Sequence, residues 1–270
     1  EQAVTSHFFK QKTAYDITAA GHALSGKDSV RIADGTFILT AEKDGIHAEN
    51  ADDEEKGYIY IADGDFTITS DGDGMDASNI VQIEDGTFDI TAGGGAANSL
   101  KTHESDMPGG GMSQNIERPD GESMPQDTTT DESGTSTKGI KAGGGMYLNG
   151  GTYQIDSADD SIHSNANITI ADGTYTLATG DDGVHADDAL TVNGGTITVT
   201  ESYEGLEGLT VTINDGTIDI TASDDGINTA GGTDQSGFGT FGDHFKGMDS
   251  ADDETEETTD KEMWMELNGG

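Results

Sequence analysis

Short segments of alternating apolar and polar residues recur along the chain, and each follows a glycine-containing turn such as Asp34-Gly35 or Gly150-Gly151. The second and fourth residues after the turn glycine are apolar, and the residue between them is polar in every repeat except the first, where it is Ile38. Such alternation, rich in aromatic and β-branched residues, is typical of a strand with one buried face. The first apolar column is Phe37, Phe66, Phe88, Tyr153, Tyr175, Ile197 and Ile218, and the second is Leu39, Ile68, Ile90, Ile155, Leu177, Val199 and Ile220.

Two more strand-like segments belong to each repeat. One precedes the turn, with the inward column Ile32, Ile61, Ile83, Leu148, Ile170, Val192 and Ile213. A shorter one carries the inward column Ile46, Met75, Ile162, Val184, Leu206 and Ile227. The shorter intervals between turn glycines are 21 or 22 residues. This predicts an all-β fold, a right-handed parallel β-helix (β-solenoid) whose coils of about 22 residues stack at about 4.8 Å. A propeller and a leucine-rich repeat fit less well, because blades need about 40 residues and the Leu/Asn signature is missing.

Two long segments interrupt the repeat, at about residues 98–137 and 233–259. The first holds all three prolines, and the second holds a run of acidic residues. We interpret both as loop insertions in one β-helix domain spanning 1–270. They are either solvated excursions or, alternatively, one of them folds over a coil to form a cleft. The chain stops at Gly269-Gly270, inside a turn signal, so we expect further coils beyond it.

The composition supports a repeat and limits the partners. A chain with 31% hydrophobic residues and a net charge of −41 would be typical of disorder, unless each coil buries its few apolar residues against the next. With 12 basic against 53 acidic residues, nucleic acid is excluded as a partner and cations are favoured. There is no cysteine, and no apolar run is long enough to insert into a membrane.

Acidic residues occupy the same position of successive repeats, just before the short third segment. Stacked carboxylates about 5 Å apart repel each other by roughly 1 kcal/mol per pair, and Ca²⁺ could relieve this by taking six to eight oxygen ligands. We therefore predict calcium as cofactor between the coils, although the acidic residues could instead only solubilise exposed bends. The predicted metal ligands are Asp44, Asp73, Asp76, Asp159, Asp160, Asp181, Asp182, Glu204, Glu207, Asp224 and Asp225.

Three histidines, His47, His163 and His185, lie three residues after acidic residues of this column. Zinc is an alternative ligand for them, but one histidine per coil fits poorly with three or four convergent ligands. We favour hydrogen bonds to neighbouring carboxylates for all three, or saccharide contacts by His163 and His185.

One repeat places Lys138 and Lys141 at the acidic and histidine positions. These lysines either neutralise the flanking carboxylates or bind an acidic sugar beside calcium. In the second case either one could also abstract a proton α to the sugar carboxylate.

The strings Asp44-Gly-Ile-His-Ala-Glu-Asn50, Gly180-Asp-Asp-Gly-Val-His-Ala186, Ser223-Asp-Asp-Gly-Ile-Asn228 and Asn149-Gly-Gly-Thr-Tyr153 resemble the repeats of bacterial secreted carbohydrate-binding β-helix proteins of clostridial type. The resemblance covers nearly the whole chain. It implies a right-handed β-helix, bound calcium, and affinity for cellulose-like or acidic plant polysaccharides such as polygalacturonate. It also implies likeness to the calcium-dependent β-helix pectate lyases, in which a lysine near calcium serves as base; Lys138 and Lys141 are the residues that match that role here.

We therefore expect a secreted or cell-surface, non-catalytic module that binds plant cell-wall polysaccharide with calcium. The alternatives are a calcium-dependent polysaccharide lyase acting through Lys138 or Lys141, and a calcium-stabilised adhesin or spacer without a sugar ligand. A lyase needs a basic cluster to hold the carboxylates of its substrate, whereas the chain has only the arginines Arg31 and Arg118. The sequence thus favours binding.

Overall fold

The computed structural model describes residues 13–50, 52–53, 55–101, 136–229 and 262–269. Within them the fold is all-β, apart from one 3₁₀ turn at Ala96–Asn98. The strands are β1 (Ala14–Ala19), β2 (Leu24–Gly26), β3 (Ser29–Ile32), β4 (Thr36–Ala41), β5 (Ile46–Ala48), β6 (Tyr58–Ile61), β7 (Asp65–Ser70), β8 (Met75–Ala77), β9 (Val81–Ile83), β10 (Thr87–Ala92), β11 (Ile140–Ala142), β12 (Met146–Leu148), β13 (Thr152–Ser157), β14 (Ile162–Ser164), β15 (Ile168–Ile170), β16 (Thr174–Thr179), β17 (Val184–Val192), β18 (Thr196–Glu201), β19 (Leu206–Ile213), β20 (Thr217–Ile220), β21 (Ile227–Asn228) and β22 (Trp264–Leu267).

The strands that follow the turn glycines form one parallel, eight-stranded sheet in the order β1-β4-β7-β10-β13-β16-β18-β20. Its register sets Phe66 opposite Phe37 and Phe88, and it continues through Tyr153 and Tyr175. These are the positions that the alternating pattern predicts as one inward column. Like residues therefore lie above one another from strand to strand, as in a β-solenoid.

The other strands form a second sheet of parallel ladders. The short segments pair as β2-β5-β8-β11-β14, and the strands before the turns pair as β3-β6-β9-β12-β15. The long strands β17 and β19 run through both ladders and join them into one sheet. The chain after residue 261 returns to this sheet, because β22 pairs in parallel with β19. Most of each predicted insertion, and its proposed cleft, lies outside the described residues.

The core is a series of stacked inward side chains. Neighbouring aromatic rings from Tyr15 to Tyr175 are nearly parallel, with centroids 4.6–4.9 Å apart. The strand spacing imposes this distance, since each ring is carried by the next strand of the same parallel sheet. Few apolar residues per coil suffice to fill the core, because each one is covered by its equivalents above and below.

The Asp-Gly turn signal has a local cause. Gly86 has a φ of +135°, and a Cβ at this position would lie 2.9 Å from the ring of Phe88. The Asp85 carboxylate accepts a hydrogen bond of 2.8 Å from the Gly86 N–H. Glycine is therefore required both by its backbone conformation and by the aromatic ring that packs against it.

Replacing Tyr153 with phenylalanine should lower the free energy of unfolding by about 1 kcal/mol, or about 2–4 °C in melting temperature. The reason is that the hydroxyl of this buried residue donates a 2.8 Å hydrogen bond to the Gly150 carbonyl. Thermal melts monitored by circular dichroism measure the change. Tyr147→Phe is the matched control, since Tyr147 is exposed; equal shifts in the two variants would contradict the prediction.

Candidate functional site: an ionic ladder between the coils

The acidic column binds the backbone of the neighbouring coil. In each case one carboxylate oxygen accepts a hydrogen bond of 2.7–3.2 Å from the N–H of the residue at the same position one coil on. The pairs are Asp44 with Asp73, Asp73 with Lys138, Asp160 with Asp182, and Asp182 with Glu204. A carboxylate at this position therefore satisfies a backbone donor in the bend, which explains its recurrence without any bound ion.

For Asp44, Asp160 and Asp182, the second oxygen faces a histidine three residues later in the chain, whereas Asp73 is followed at this position by Asp76. His163 Nδ1 lies 2.9 Å from an oxygen of Asp160, and His185 Nδ1 lies 3.2 Å from one of Asp182. These two positions thus carry an acid and a histidine in three coils, two acids in two coils and two lysines in one coil. We call this set the ionic ladder; it comprises Asp44, His47, Asp73, Asp76, Lys138, Lys141, Asp160, His163, Asp182, His185, Glu204 and Glu207.

Lys138 is the fully buried centre of the ladder. Its Nζ lies 2.9 Å from Asp159 and 2.8 Å from Asp160. Burial by itself would raise the pKa of Asp160, but the charge of Lys138 and the nearby Lys101 and His163 hold that pKa well below its usual range. Of the two interpretations of Lys138, this geometry supports neutralisation of the flanking carboxylates.

Lys141 occupies the neighbouring position of the ladder. Its Nζ lies 3.7 Å from an Asp73 oxygen and 3.8 Å from an Asp76 oxygen. Even so, burial together with the charges of Asp76 and Asp44 raises the pKa of Asp73 to about 7. The contact with Lys141 therefore does not fully offset the cost of burying the Asp73 carboxylate.

Lys101 is a member of this cluster that the sequence analysis missed. Its Nζ lies 2.7 Å from Asp159 and also contacts Asp181. Burial, followed by the charges of Asp160 and Asp182, raises the pKa of Asp181 well above its usual range despite that contact. Lys101 lies at the edge of the first insertion, outside the repeat, so periodicity contains no signal for it.

The amino-terminal end of the ladder is rich in imidazole. The rings of His22 and His47 stack with centroids 4.0 Å apart, and each Nδ1 lies within 3.0 Å of the same Asp44 oxygen. Burial lowers the pKa of His47, but hydrogen bonds and charges from Asp44 and Asp76 outweigh it and raise that pKa to about 10. Two imidazoles and one carboxylate suit zinc better than calcium, so the zinc alternative remains a prediction at this end.

The carboxy-terminal end has an excess of acid. His185 Nδ1 lies 3.4 Å from a Glu207 oxygen. Both Glu204 oxygens accept hydrogen bonds of 2.9 Å from the side-chain amide of Asn228. Burial and the charge of Asp182, opposed by that of His185, raise the pKa of Glu207 to about 8. The geometry thus brings three carboxyl groups, those of Asp182, Glu204 and Glu207, together around the His185 imidazole.

Asp224 and Asp225, the last predicted ligands, are exposed one coil further on. A hydrogen bond from Tyr203 to Asp224 contributes most to raising the pKa of Tyr203 to about 12. These two carboxylates therefore lie beside the acid-rich end of the ladder but outside its buried part.

Among the described residues, four groups of three side chains bring their ligand atoms within 4.8 Å of one another. They are His22–Asp44–His47, Asp160–His163–His185, Asp182–His185–Glu207 and Asp159–Asp160–Asp181. The all-carboxylate group already contains the ammonium groups of Lys138 and Lys101 between its oxygens. The group around Asp182 and Glu207, with Glu204 adjacent, therefore fits a hard cation best.

The side chains predicted to contact saccharide are buried. Lys138, Lys141, His163 and His185 expose 0%, 6%, 1% and 5% of their surface. Their side-chain nitrogen atoms lie against carboxylates of the ladder rather than facing solvent. Saccharide contact, and the role of either lysine as a lyase base, stay predictions.

A family model described as "Carbohydrate-binding domain-containing protein" matches residues 6–183 and 181–243 of the chain. Searches of curated proteins and of solved structures found no match. No helix among the described residues is long and apolar enough to cross a membrane.

Proposed function

Since the chain belongs to the family of carbohydrate-binding domain-containing proteins, we propose that it binds plant cell-wall polysaccharide without cleaving it and uses calcium to do so. The polysaccharides proposed are cellulose-like glucans and acidic glycans such as polygalacturonate. The observation that carries the calcium part is the excess of carboxylates at the carboxy-terminal end of the ladder, where the pKa of Glu207 is raised to about 8.

Asp182, Glu204 and Glu207 would hold the calcium ion. They supply carboxylate oxygens from neighbouring coils, and Ca²⁺ accepts such irregular oxygen sets. When bound, the ion would supply positive charge beside a chain whose net charge is −41. An acidic polysaccharide is otherwise repelled by a surface of its own sign. Calcium would thus stabilise the coils and allow a uronate carboxylate to approach.

We also infer the finer fold and the location. Pairing joins Ile140 to Ile162 and Ile162 to Val184, which supports a coil of about 22 residues. Connections between parallel strands of one sheet are right-handed in about 98% of cases, which favours a right-handed β-helix. Plant cell-wall polysaccharide lies outside bacterial cells, so the proposed ligand requires a secreted or cell-surface location.

Calcium should raise the melting temperature of the protein, because a ligand specific to the native state stabilises it, by about 2.7 kcal/mol at a hundredfold excess over Kd. The Glu204→Gln/Glu207→Gln variant should lose this rise. In co-sedimentation, the wild type should bind calcium pectate gel, and the Glu204→Gln/Glu207→Gln variant should bind it less. Differential scanning fluorimetry and quantification of the unbound protein give the two readouts.

The matched control is Glu201→Gln/Asp219→Asn, which removes the same charge from exposed positions on the other sheet. It should keep the full response to calcium. If calcium still raises the melting temperature of the Glu204→Gln/Glu207→Gln variant, the ion does not bind at the carboxy-terminal end of the ladder. If the protein forms unsaturated uronate from polygalacturonate, which ultraviolet absorbance detects, it is a lyase rather than a binding module without activity. Binding to neither pectate nor cellulose would leave the adhesin or spacer role.

A further inference from the structure

Three tyrosines lie close together on the outer face of the β3-β6-β9-β12 ladder, away from the ionic ladder. The register places Arg31, Tyr60, Gln82 and Tyr147 in one outward column on successive strands. Tyr58 lies on the same face as Tyr60, two residues earlier on β6. Further along the solenoid the column continues with Thr169, Thr191, Thr212 and Glu266, so its own aromatic residues lie on the first coils. The exposed Trp264 lies on the same face at the other end, opposite Thr210 of β19.

We propose that this face, which we call the tyrosine platform (Arg31, Tyr58, Tyr60, Gln82 and Tyr147), is the surface that binds polysaccharide, and that its ligand is an extended neutral glycan. The inference rests on the proposed function, since family membership supplies the chemical class of the ligand. It adds the location of the site and the charge of the sugar.

The rings are accessible and separated along the solenoid axis. Tyr147 exposes 42% of its surface, and Tyr60 is half-buried. They lie two strands apart in the ladder, which corresponds to about 10 Å. An extended glycan running along the axis would meet both rings with different sugar units. Tyrosine suits this task because its ring packs against the apolar C–H face of a pyranose while its hydroxyl stays hydrated.

Polar groups for the sugar hydroxyls surround the rings. A groove of about 240 Å³ lies beside the platform, and Arg31, Tyr58, Tyr60, Asn79 and Gln82 contribute to its lining. The Arg31 guanidinium lies 5.7 Å from the centre of the Tyr60 ring, so it holds that ring from one side. A mainly apolar surface with a few fixed polar groups is typical of a site for a small molecule or an oligosaccharide.

The charge of the face favours a neutral sugar. Glu55 lines the groove, and Glu84 accepts hydrogen bonds from the Gln82 and Asn149 side-chain amides, at 2.6 and 2.9 Å. Two carboxylates at the platform, on a chain with a net charge of −41, repel a polyuronate. A neutral glycan instead finds acceptors for its hydroxyl groups in the same carboxylates.

The test compares the wild type with Tyr60→Ala/Tyr147→Ala, using cellohexaose in calorimetry and insoluble cellulose in co-sedimentation. We expect the double variant to lose at least tenfold in affinity for both probes. The Tyr60→Phe/Tyr147→Phe variant keeps the rings, so it should stay within about threefold of the wild type. The Thr191→Ala/Thr212→Ala variant changes the same column beyond the platform and should bind like the wild type. Circular dichroism and melting temperature confirm that each variant is folded.

The outcomes separate this inference from the function on which it rests. If the wild type binds cellohexaose or cellulose and the alanine variant binds equally well, the glycan does not bind at the tyrosine platform, and the carbohydrate-binding function stands. If the wild type binds only calcium pectate, the neutral ligand is wrong. If it binds neither cellulose, cellohexaose nor pectate, the proposed function itself fails, and the inference with it.

Discussion

Replacing Lys138 with methionine should lower the free energy of unfolding by about 3–5 kcal/mol, which is the usual cost of removing one partner from a buried ion pair. The ammonium group is fully buried and lies within 2.9 Å of Asp159 and Asp160. Methionine fills a similar volume but leaves both carboxylates without that counter-charge. Urea unfolding in excess chelator, followed by circular dichroism, measures the loss.

Lys27→Met provides the matched control. Lys27 also pairs with a carboxylate, 2.5 Å from Asp52, but both side chains are exposed. Exposed pairs contribute little to stability, because water screens their charges, so this variant should unfold almost like the wild type. Equal losses in the two variants would show that Lys138 is not the electrostatic centre of the ladder. The triple variant Lys138→Met/Asp159→Asn/Asp160→Asn should recover part of the loss, because it removes the uncompensated charges together with the lysine.

Raising the pH from about 5 to about 9 should lower the melting temperature steadily in the absence of calcium. Two groups of the amino-terminal ladder act in the same direction. The pKa of His47 is raised from 6.5 to about 10, so its stabilising contribution is complete below pH 6.5 and is lost as the pH rises through about 10. The pKa of Asp73 is raised from 3.8 to about 7, so its contribution is lost as the pH rises through about 7.

The groups that face His47 are Asp44, Asp76, Glu49 and His22. The pKa of Asp44 is lowered from 3.8, because the contacts with His47, the Asp73 N–H and His22 together outweigh burial. Its contribution is therefore lost only in more acidic solution, outside this pH range.

Two variants measure the contributions of His47 and Asp73, which add to those of other groups with a raised pKa such as Glu207. His47→Gln should flatten the curve of melting temperature mainly above pH 7, whereas Asp73→Asn should flatten it mainly below pH 7. Scanning fluorimetry at constant ionic strength in excess chelator gives the curves. A wild-type curve that rises with pH, or two variant curves that follow the wild type, would contradict the assignment of these protonation states.

The recurrence of the Asp-Gly-aliphatic-polar segment allowed one part of the ladder to be predicted. The inward aliphatics Ile46, Met75 and Ile162 were identifiable because parallel strands repeat one environment at every coil. The polar position that follows them was identifiable for the same reason. The function of the acidic position was not, because hydrogen bonds to the next coil's backbone require knowledge of where the bend places the carboxylate.

Two groups of residues could be found only in the structure. Lys101 lies outside the repeat, and its ion pair with Asp159 depends on the path of an irregular segment. Tyr60 and Tyr147 belong to different repeats separated by the first insertion, so only strand pairing shows that a single strand lies between them. Neither relation leaves a periodic signal.

The sequence by itself determined the strands, their inward faces and their alignment. The alternation of apolar and polar residues is a local property of each strand, and the repeat places equivalent residues of successive coils next to each other. It also determined the position of the acidic column. Only the tertiary structure decided which charges neutralise one another, since charge balance depends on distances between coils and on burial. In the stack of Asp73, Lys138 and Asp160, the structure buries an ammonium group beside the carboxylates, which is one of the two roles that the sequence left open for Lys138, and it gathers Asp182, Glu204 and Glu207 at the carboxy-terminal end.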